Sequence, residues 1–156
     1  MKEKRDLKIQ AIENGTVIDH IKAGQALNVL RILGISNAFR ATISFVMNAP
    51  GAAGIKDVVK IEGKELSVEE LNRIALISPK ATINIIRDFE VVQKNKVVLP
   101  SYVEGVVRCI NPNCVSNSSE PIKSKFSVLQ SEEEGVILRC LYCEHVISEN
   151  IAENLL

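Results

Sequence analysis

The sequence predicts an α+β chain in two parts, an antiparallel sheet with two helices on one face followed by a small all-β module. In the first hundred residues, strand-like alternation is interrupted twice by helical periodicity. All four cysteines lie in the last third of the 156 residues. A proline break at Leu99-Pro100-Ser101 separates the two patterns. We therefore expect one domain over residues 1–100 and a second over residues 101–156.

The first elements follow from alternation and spacing. Apolar and polar residues alternate from Leu7 to Ala11, which predicts a strand. Asn14-Gly15 marks a turn, and Thr16-Val17-Ile18 resumes an extended pattern as a short strand or loop. Apolar residues at helical spacing from Gly24 to Gly34 predict the first helix, and Gly34 is a suitable end.

The middle of the first part contains two predicted strands, from Arg40 to Met47 and from Lys56 to Ile61. The glycines and proline of Asn48–Gly54 predict a loop between them. The two strands are therefore expected to pair as neighbours.

A capping box opens the second helix, because Ser67 precedes Glu70 by three residues. This helix is expected to end near Ile77, since Ser78 precedes a proline and is disfavoured in helical geometry. The segments 82–92 and 96–99 are then predicted to form a hairpin around Lys94-Asn95. The resulting order matches a ferredoxin-like split βαβ sandwich with an added edge strand.

The cysteines have the spacing of a metal site. Four residues separate Cys109 from Cys114, and two separate Cys140 from Cys143. Two close pairs joined by a hairpin-length insert are typical of a zinc ribbon. The patterns at 126–129 and 136–139 supply the strands of that hairpin. The alternatives are two disulfides or four unrelated thiols, and the expected reducing cytoplasm disfavours the disulfides.

Four thiolates around one Zn²⁺ predict a structural role. Catalytic zinc sites keep an open position, which a closed set of four ligands does not leave. His145 lies two residues after Cys143 and is expected to be a surface residue, because four cysteines complete the tetrahedron. No clustered acid, base and nucleophile accompanies the cysteines, so a small zinc enzyme is the weaker interpretation.

Charge and composition narrow the possible partners. Lys plus Arg and Asp plus Glu number 19 each, and only six residues are aromatic. A zinc-ribbon nucleic-acid binder, the main alternative, would be poorly equipped with such a balance. No apolar run approaches the roughly 20 residues that span a bilayer, and the charged Met1–Asp6 segment is unlike a signal peptide. We expect a cytoplasmic protein with neither nucleic acid nor membrane as partner.

Several separate stretches resemble one family along nearly the whole chain, the regulatory chain of aspartate carbamoyltransferase. The stretches that carry the resemblance are Ala11-Ile12 with Gly15–His20, Lys56-Asp57 with Lys60–Glu62, Pro79–Asn84, Glu90–Val92 with Lys94, and the four cysteines with Asn111 and Asn113. The resemblance implies a non-catalytic subunit of pyrimidine biosynthesis that binds CTP or ATP at one allosteric site.

The resemblance also assigns contacts to the nucleotide. The base would meet backbone groups of Ala11 and Ile12 in a pocket lined by Val17, Ile86 and Val91. Asp19 and Lys60 would reach the ribose, and Lys60 would also touch the base. The phosphates would face His20, Asn84 and Lys94, with Lys56 as a secondary candidate.

Partners follow from the same resemblance. Dimers of regulatory chains would join two catalytic trimers, and Asn111, Asn113 and Glu144 would contact the catalytic chain. The chain departs from the family pattern at Phe89, where a tyrosine is common, and in its N-terminal segment Met1–Asp6. A tyrosine hydroxyl contact is therefore lost at Phe89.

Overall fold

The computed structural model describes residues 12–34, 40–52, 54–131 and 135–156. The larger of its two antiparallel sheets consists of β1 (Gly15–Lys22), β2 (Ile43–Gly51), β3 (Gly54–Glu62), β4 (Thr82–Arg87) and β5 (Glu90–Lys96). The smaller sheet consists of β6 (Tyr102–Glu104), β7 (Lys125–Ser131), β8 (Gly135–Cys140) and β9 (Val146–Ile147). The α-helices of the described residues are α1 (Ala26–Ile32) and α2 (Val68–Ile77).

The larger sheet has the strand order β2-β3-β1-β4-β5. Helix α1 connects β1 to β2 and helix α2 connects β3 to β4, so the first four strands form the expected split βαβ arrangement. Both helices cover the same face, because Val29 and Ile74 are buried in one cluster with Ile18 and Val59 of the sheet. The α+β prediction and the two-helix layer are confirmed.

Helix α2 begins as predicted. The Ser67 side chain accepts a hydrogen bond from the Glu70 N–H at 3.2 Å, and the Glu70 carboxylate accepts one from the Ser67 N–H at 3.0 Å. Both bonds satisfy amides that a helix start leaves free. The helix ends at Ile77, as the following Ser-Pro pair predicted.

Helix α1 is shorter than predicted and has no cap from its own N-cap side chain. Its start is held by Asp57 of β3, a fully buried carboxylate that accepts the N–H groups of Gly24 and Ala26 at 2.9 Å each. Asp57 also accepts the Asn48 N–H of β2 at 2.8 Å. One buried acid therefore joins three elements through charge-assisted hydrogen bonds.

The predicted hairpin turn at Lys94-Asn95 is wrong. The chain reverses at Asp88-Phe89, whose φ angles of 53° and 66° form the left-handed pair favoured in tight hairpins. Lys94 instead pairs with Asn84 inside β5. Right-handed strand twist selects this turn, and neither residue is the glycine that usually marks it.

The predicted loop over Asn48–Gly54 is also wrong, because β2 runs to Gly51 and β3 begins at Gly54. Pro50 lies within β2, opposite Ile55. Strand β2 is at the edge of the sheet formed by the described strands, and an edge strand tolerates proline because one of its sides has no partner. The predicted strand from Leu7 to Ala11 lies outside the described residues.

The smaller sheet follows its prediction, since β7 and β8 pair antiparallel and contain the predicted strands. Phe126 of β7 and Leu138 of β8 are fully buried and belong to the hydrophobic core cluster. The chain ends with a 3₁₀ turn over Ile151–Asn154. Within the described residues, no helix is long and apolar enough to cross a bilayer.

Candidate functional site

A bulge near the end of β1 places the first polar cluster. The register of β1 against β3 breaks between Ile18 and Ile21, and His20 has a positive φ of 57°. The Asp19 carboxylate accepts the His20 N–H at 2.6 Å and pairs with the Lys56 ammonium at 2.8 Å. The bulge therefore presents an acid, an imidazole and a lysine together.

In this cluster, the charges of neighbouring groups oppose the effect of burial on the pKa values of Asp19 and Lys60. Burial raises the pKa of Asp19, but the Lys56 ammonium and the His20 N–H outweigh it and leave that pKa below its usual value. Burial lowers the pKa of Lys60, and the negative charge of Asp19 partly offsets this effect. Asp19 is thus a carboxylate at neutral pH, and the Lys60 ammonium is held in a less hydrated setting.

One row of side chains crosses the sheet face that the helices leave open. Val17 of β1 pairs with Lys60 of β3 on one side and with Asn84 of β4 on the other, and Asn84 pairs with Lys94 of β5. Side chains directly opposite on neighbouring strands share a face. The neighbouring residue Ile18 is buried beneath the helices, so the row faces the opposite side.

An apolar row lies on one side of this polar row. Gly15, Ile86 and Val91 are in register across β1, β4 and β5. Ile12 and Ile86 are buried, yet neither belongs to the main core cluster of the described residues. Gly15 brings the strands close, since a Cβ there would lie 2.1 Å from the Ile61 carbonyl oxygen. This end of the open face has a small apolar surface of its own.

Thr82 joins the opposite, charged end and was missed in the sequence. It pairs with Asp19 across the sheet, and its hydroxyl lies 3.0 Å from His20 Nδ1. Ile86 and Thr82 are four residues apart on β4, so the open face changes from apolar to charged over about 13 Å. The β1–β4 register reveals this order, because it sets Ile86 opposite Gly15 and Thr82 opposite Asp19.

The four cysteines converge at the second site. The Sγ atoms of Cys109, Cys114, Cys140 and Cys143 all lie within 4.8 Å of one another. The Cys109–Cys143 and Cys114–Cys140 sulfur distances are 3.5 and 3.7 Å. A tetrahedron with Zn–S bonds of about 2.3 Å has sulfur–sulfur edges of about 3.8 Å. These residues therefore fit a zinc ion.

Local hydrogen bonds shape the first cysteine turn. The Cys114 N–H donates to the Asn111 carbonyl oxygen at 3.0 Å. The Asn117 side chain donates to the carbonyl oxygens of Cys109 and Asn111, at 2.9 and 2.7 Å. Asn117 was not identified from the sequence, because it lies outside the cysteine spacing and only the folded turn brings it back.

Thiol chemistry agrees with a cation at the centre. Burial raises the pKa of Cys109 to about 12, and burial also raises the pKa of Cys140. Several groups lower the pKa of Cys143 to about 6, and the hydrogen bond from the His145 backbone N–H contributes most. Burial disfavours the thiolate forms of Cys109 and Cys140. Zn²⁺ binds thiolates, so the charge of a bound ion would stabilise these forms.

The predicted interface residues lie on the exposed cysteine turns. Asn113 and Glu144 are exposed, and Asn111 is half-buried. The Asn111 side-chain oxygen accepts a hydrogen bond from the Asn113 backbone N–H at 3.0 Å. This bond does not involve the Asn113 side chain. Glu144 has a positive φ of 66° directly after Cys143. Asn113 and Glu144 are therefore open to solvent, whereas the Asn111 side chain also hydrogen-bonds to Cys143 and helps to lower the pKa of that thiol.

Comparison with known proteins decides the family. The sequence model of the aspartate carbamoyltransferase regulatory chain, allosteric domain, matches residues 7–98. The model of the metal binding domain of the same chain matches residues 101–153.

The chain belongs to the aspartate carbamoyltransferase regulatory chain family.

Curated members of the regulatory chain family cover nearly all of it. A regulatory chain from Methanosarcina barkeri is 97% identical over 156 residues, covering 100% of both proteins. One from Methanococcoides burtonii is 61% identical over 152 residues, covering 97% of this chain and 95% of its own. One from Methanoregula boonei is 49% identical over 156 residues, covering 99% and 93%.

Membership in the regulatory chain family settles the broad role. The protein is a non-catalytic regulatory subunit with an allosteric domain and a metal-binding domain, and its partner is a catalytic chain. The cysteine cluster fits the structural zinc of the metal-binding domain. The closed set of four sulfurs agrees with a metal that supports the fold and does no chemistry.

Proposed function

We propose that the allosteric domain, residues 1–100, binds CTP and ATP in competition at one site on the open face of its sheet. The metal-binding domain, residues 101–156, docks on catalytic trimers, and dimers of this chain join two trimers. Nucleotide binding changes the equilibrium between two states of that assembly, because each nucleotide binds one state more tightly than the other. The reduced thiols of the metal site favour the cytoplasm.

The row of Lys60, Val17, Asn84 and Lys94 across four strands carries this proposal. It combines two cations, an amide and an apolar side chain on one surface. A nucleotide has an apolar aromatic base, a polar sugar and an anionic tail in that order. The open face offers an apolar end at Ile86 for the base, the Asp19 carboxylate for the sugar and nearby lysines for the anionic tail.

The base is placed at the apolar end, against Val17, Ile86 and Val91. Ile12 leads into this end, and its backbone would share base recognition with Ala11, which lies outside the described residues. Cytosine and adenine both present an exocyclic amine beside a ring-nitrogen acceptor. A backbone carbonyl and N–H could pair with that pattern, whereas guanine and uracil present the reverse.

The sugar and phosphates are placed at the polar end. Asp19 accepts hydrogen bonds from the ribose hydroxyls, and Lys60 reaches the ribose and the base. Lys94, Asn84 and His20 face the phosphates. The Lys56 charge is already paired with Asp19 at 2.8 Å, so its contribution to phosphate binding is secondary.

Docking on the catalytic chain is assigned to the cysteine turns. Asn111, Asn113 and Glu144 lie on turns that the metal centre would hold rigid, and rigid polar groups lose little entropy on binding. Nucleic acid is not proposed as a partner, because the chain has 19 basic and 19 acidic residues.

Calorimetric titration of the zinc-loaded chain with CTP, ATP and GTP tests the nucleotide site. CTP and ATP should displace each other, and GTP should not bind. Replacing Lys94 with alanine should weaken CTP binding by about tenfold or more, since a charge-assisted hydrogen bond contributes roughly 1.5–3 kcal/mol.

Lys80→Ala is the matched control, because this exposed lysine lies in the α2–β4 turn, outside the polar row and the apolar row of the open face. It should bind CTP as the unmodified chain does. Equal CTP affinity in the Lys94 and Lys80 variants would remove the open face as the site. Docking is tested separately, since Asn113→Ala should weaken assembly with catalytic trimers while leaving CTP binding intact.

A further inference from the structure

Two arginines on the helices reach into the metal-binding domain. Arg31 of α1 donates from Nη2 to the Ala152 carbonyl oxygen at 2.5 Å. Arg73 of α2 donates from Nη1 to the Leu156 carbonyl oxygen. Both acceptors lie in the segment 150–156, here called the tail. Helices α1 and α2 therefore each have their own charged contact with the tail.

The tail is fixed to the metal-binding domain by its backbone. The Arg108 N–H donates to the Asn154 carbonyl oxygen at 2.7 Å, and the Leu156 N–H donates to the Val106 carbonyl oxygen at 2.8 Å. Val107 and Leu155 form an antiparallel bridge between these bonds. Since the segment 106–108 continues directly into Cys109, any displacement of the tail acts one residue from the metal centre.

Apolar packing supports the same contact. Ile151 and Ala152 are buried, and they belong to the hydrophobic cluster that contains Val29 of α1 and Ile74 of α2. Asn150 adopts a left-handed conformation with φ of 56° before the 3₁₀ turn. This conformation directs the tail against the helices, where the two arginines meet its carbonyl groups.

We propose that Arg31 and Arg73 are positioning residues that fasten the tail, and that this fastening makes the two domains stabilise each other. The planar guanidinium suits this role, because its donors have fixed directions and remain charged at any physiological pH. Helix α1 begins where Asp57 holds it, next to Lys56, and ends at the tail. The tail is thus the contact through which order in one domain reaches the other.

Thermal unfolding of the full zinc-loaded chain tests the proposal with two reporters. Far-ultraviolet circular dichroism follows the α-helices, which in the described residues all lie in the allosteric domain. A metal-sensitive dye follows zinc release. In the unmodified chain the two transitions should coincide.

In the double variant Arg31→Met, Arg73→Met, zinc should be released at a lower temperature than the helices unfold. Methionine keeps the aliphatic length but removes the donors. At ambient temperature, zinc loss to a chelator should be faster by about tenfold or more, the factor expected from losing charge-assisted hydrogen bonds.

Arg87→Met is the matched control. Arg87 pairs with Glu65 inside the allosteric domain, and both side chains are more than half exposed, at 60% and 57%. Its transitions should still coincide, and its zinc loss should match that of the unmodified chain. Coincident transitions with unchanged zinc loss in the double variant would overturn the proposal, as would an equal effect of the Arg87 variant.

Hydrogen exchange on the unmodified chain tests the coupling even if the double variant does not fold. Removing zinc with a chelator should increase exchange near Leu33 and Ile77, at the ends of the two helices, while β4 and β5 change little. The Arg31→Lys variant should lose zinc at a rate between those of the unmodified chain and the double methionine variant, because lysine retains one charged donor group. Unchanged exchange at both helix ends after zinc removal would exclude the fastening role.

Discussion

Lys60 shows how one residue gains its properties from its neighbours. It lies half-buried on a sheet face, and burial lowers the pKa of its ammonium while Asp19 opposes the change. A less hydrated ammonium is a stronger partner for an anion or a base oxygen than a fully solvated one. The same burial makes its charge easier to lose as the solution becomes alkaline.

CTP affinity should therefore fall as the solution becomes alkaline, and the fall should begin below the pH at which an ordinary lysine loses its charge. Below its lowered pKa, Lys60 is charged and would attract the proposed nucleotide; above it, the neutral amine would lose that attraction. The phosphates do not add to this slope, since their last ionisation lies near pH 6. Calorimetric titration at a series of pH values measures the effect.

Lys60→Arg is the control for this pH dependence, because arginine stays charged throughout the range. Its CTP affinity should show a smaller decline at alkaline pH, whatever its value at neutral pH. Identical pH profiles for the two proteins would show that Lys60 does not carry the titration.

At the scale of elements, Asp57 replaces several local caps. It joins β3 to the start of α1 and to the bulge at Asn48 in β2, using both carboxylate oxygens. The sheet edge and the first helix therefore depend on one buried side chain. Its neighbour Lys56 leads directly to the charged end of the open face.

Asp57→Asn should destabilise the chain by about 2–3 kcal/mol, because an amide NH₂ would oppose backbone N–H groups that need an acceptor. Urea unfolding followed by circular dichroism, with zinc present and nucleotide absent, measures the change. Glu65→Gln removes a carboxylate from the exposed pair with Arg87 and should change stability by less than about 0.5 kcal/mol. If the Asp57 variant loses as little stability as this control, the three hydrogen bonds that Asp57 accepts are dispensable.

Elements with local signals could be predicted from the sequence, and elements with non-local causes could not. Helix α2 is specified by Ser67, Glu70 and the following Ser-Pro pair, so its bounds were foreseen. The start of α1 depends on Asp57, about thirty residues away in sequence, which no local pattern reveals. The Asp88-Phe89 turn lacks glycine, so its left-handed geometry was not foreseen either.

The two sites differ in the same way. Cysteine spacing encodes the metal centre directly, because each pair supplies two ligands from one turn. The open face depends on the register between strands, which brings Thr82 to His20 and Asn84 to Lys94. Family resemblance supplied most of its residues, but Thr82 became apparent only in the folded sheet.

At the scale of the whole molecule, the metal centre supports a domain with a small core. Structural zinc contributes on the order of 10 kcal/mol to such folds. Cys114→Ser should abolish zinc retention, unfold the metal-binding domain and prevent association with catalytic trimers. Zinc content and sedimentation of the mixture with catalytic trimers measure both effects.

Ser116→Ala is the matched control, because the Ser116 hydroxyl lies 3.2 Å from the Cys114 sulfur without belonging to the four-sulfur cluster. It should retain zinc and assemble. Normal assembly by the Cys114 variant would show that the metal centre is not needed for docking.

Strand β5 has a consequence for solubility. Among the described strands it lies at an edge of the sheet, its seven residues are all exposed, and it includes Val91 and Val92. Exposed edges invite pairing with other chains, and lysines on an edge discourage it. We therefore expect Lys94 and Lys96 to discourage aggregation through this edge, and replacing both with neutral residues would leave a strand prone to intermolecular sheet growth.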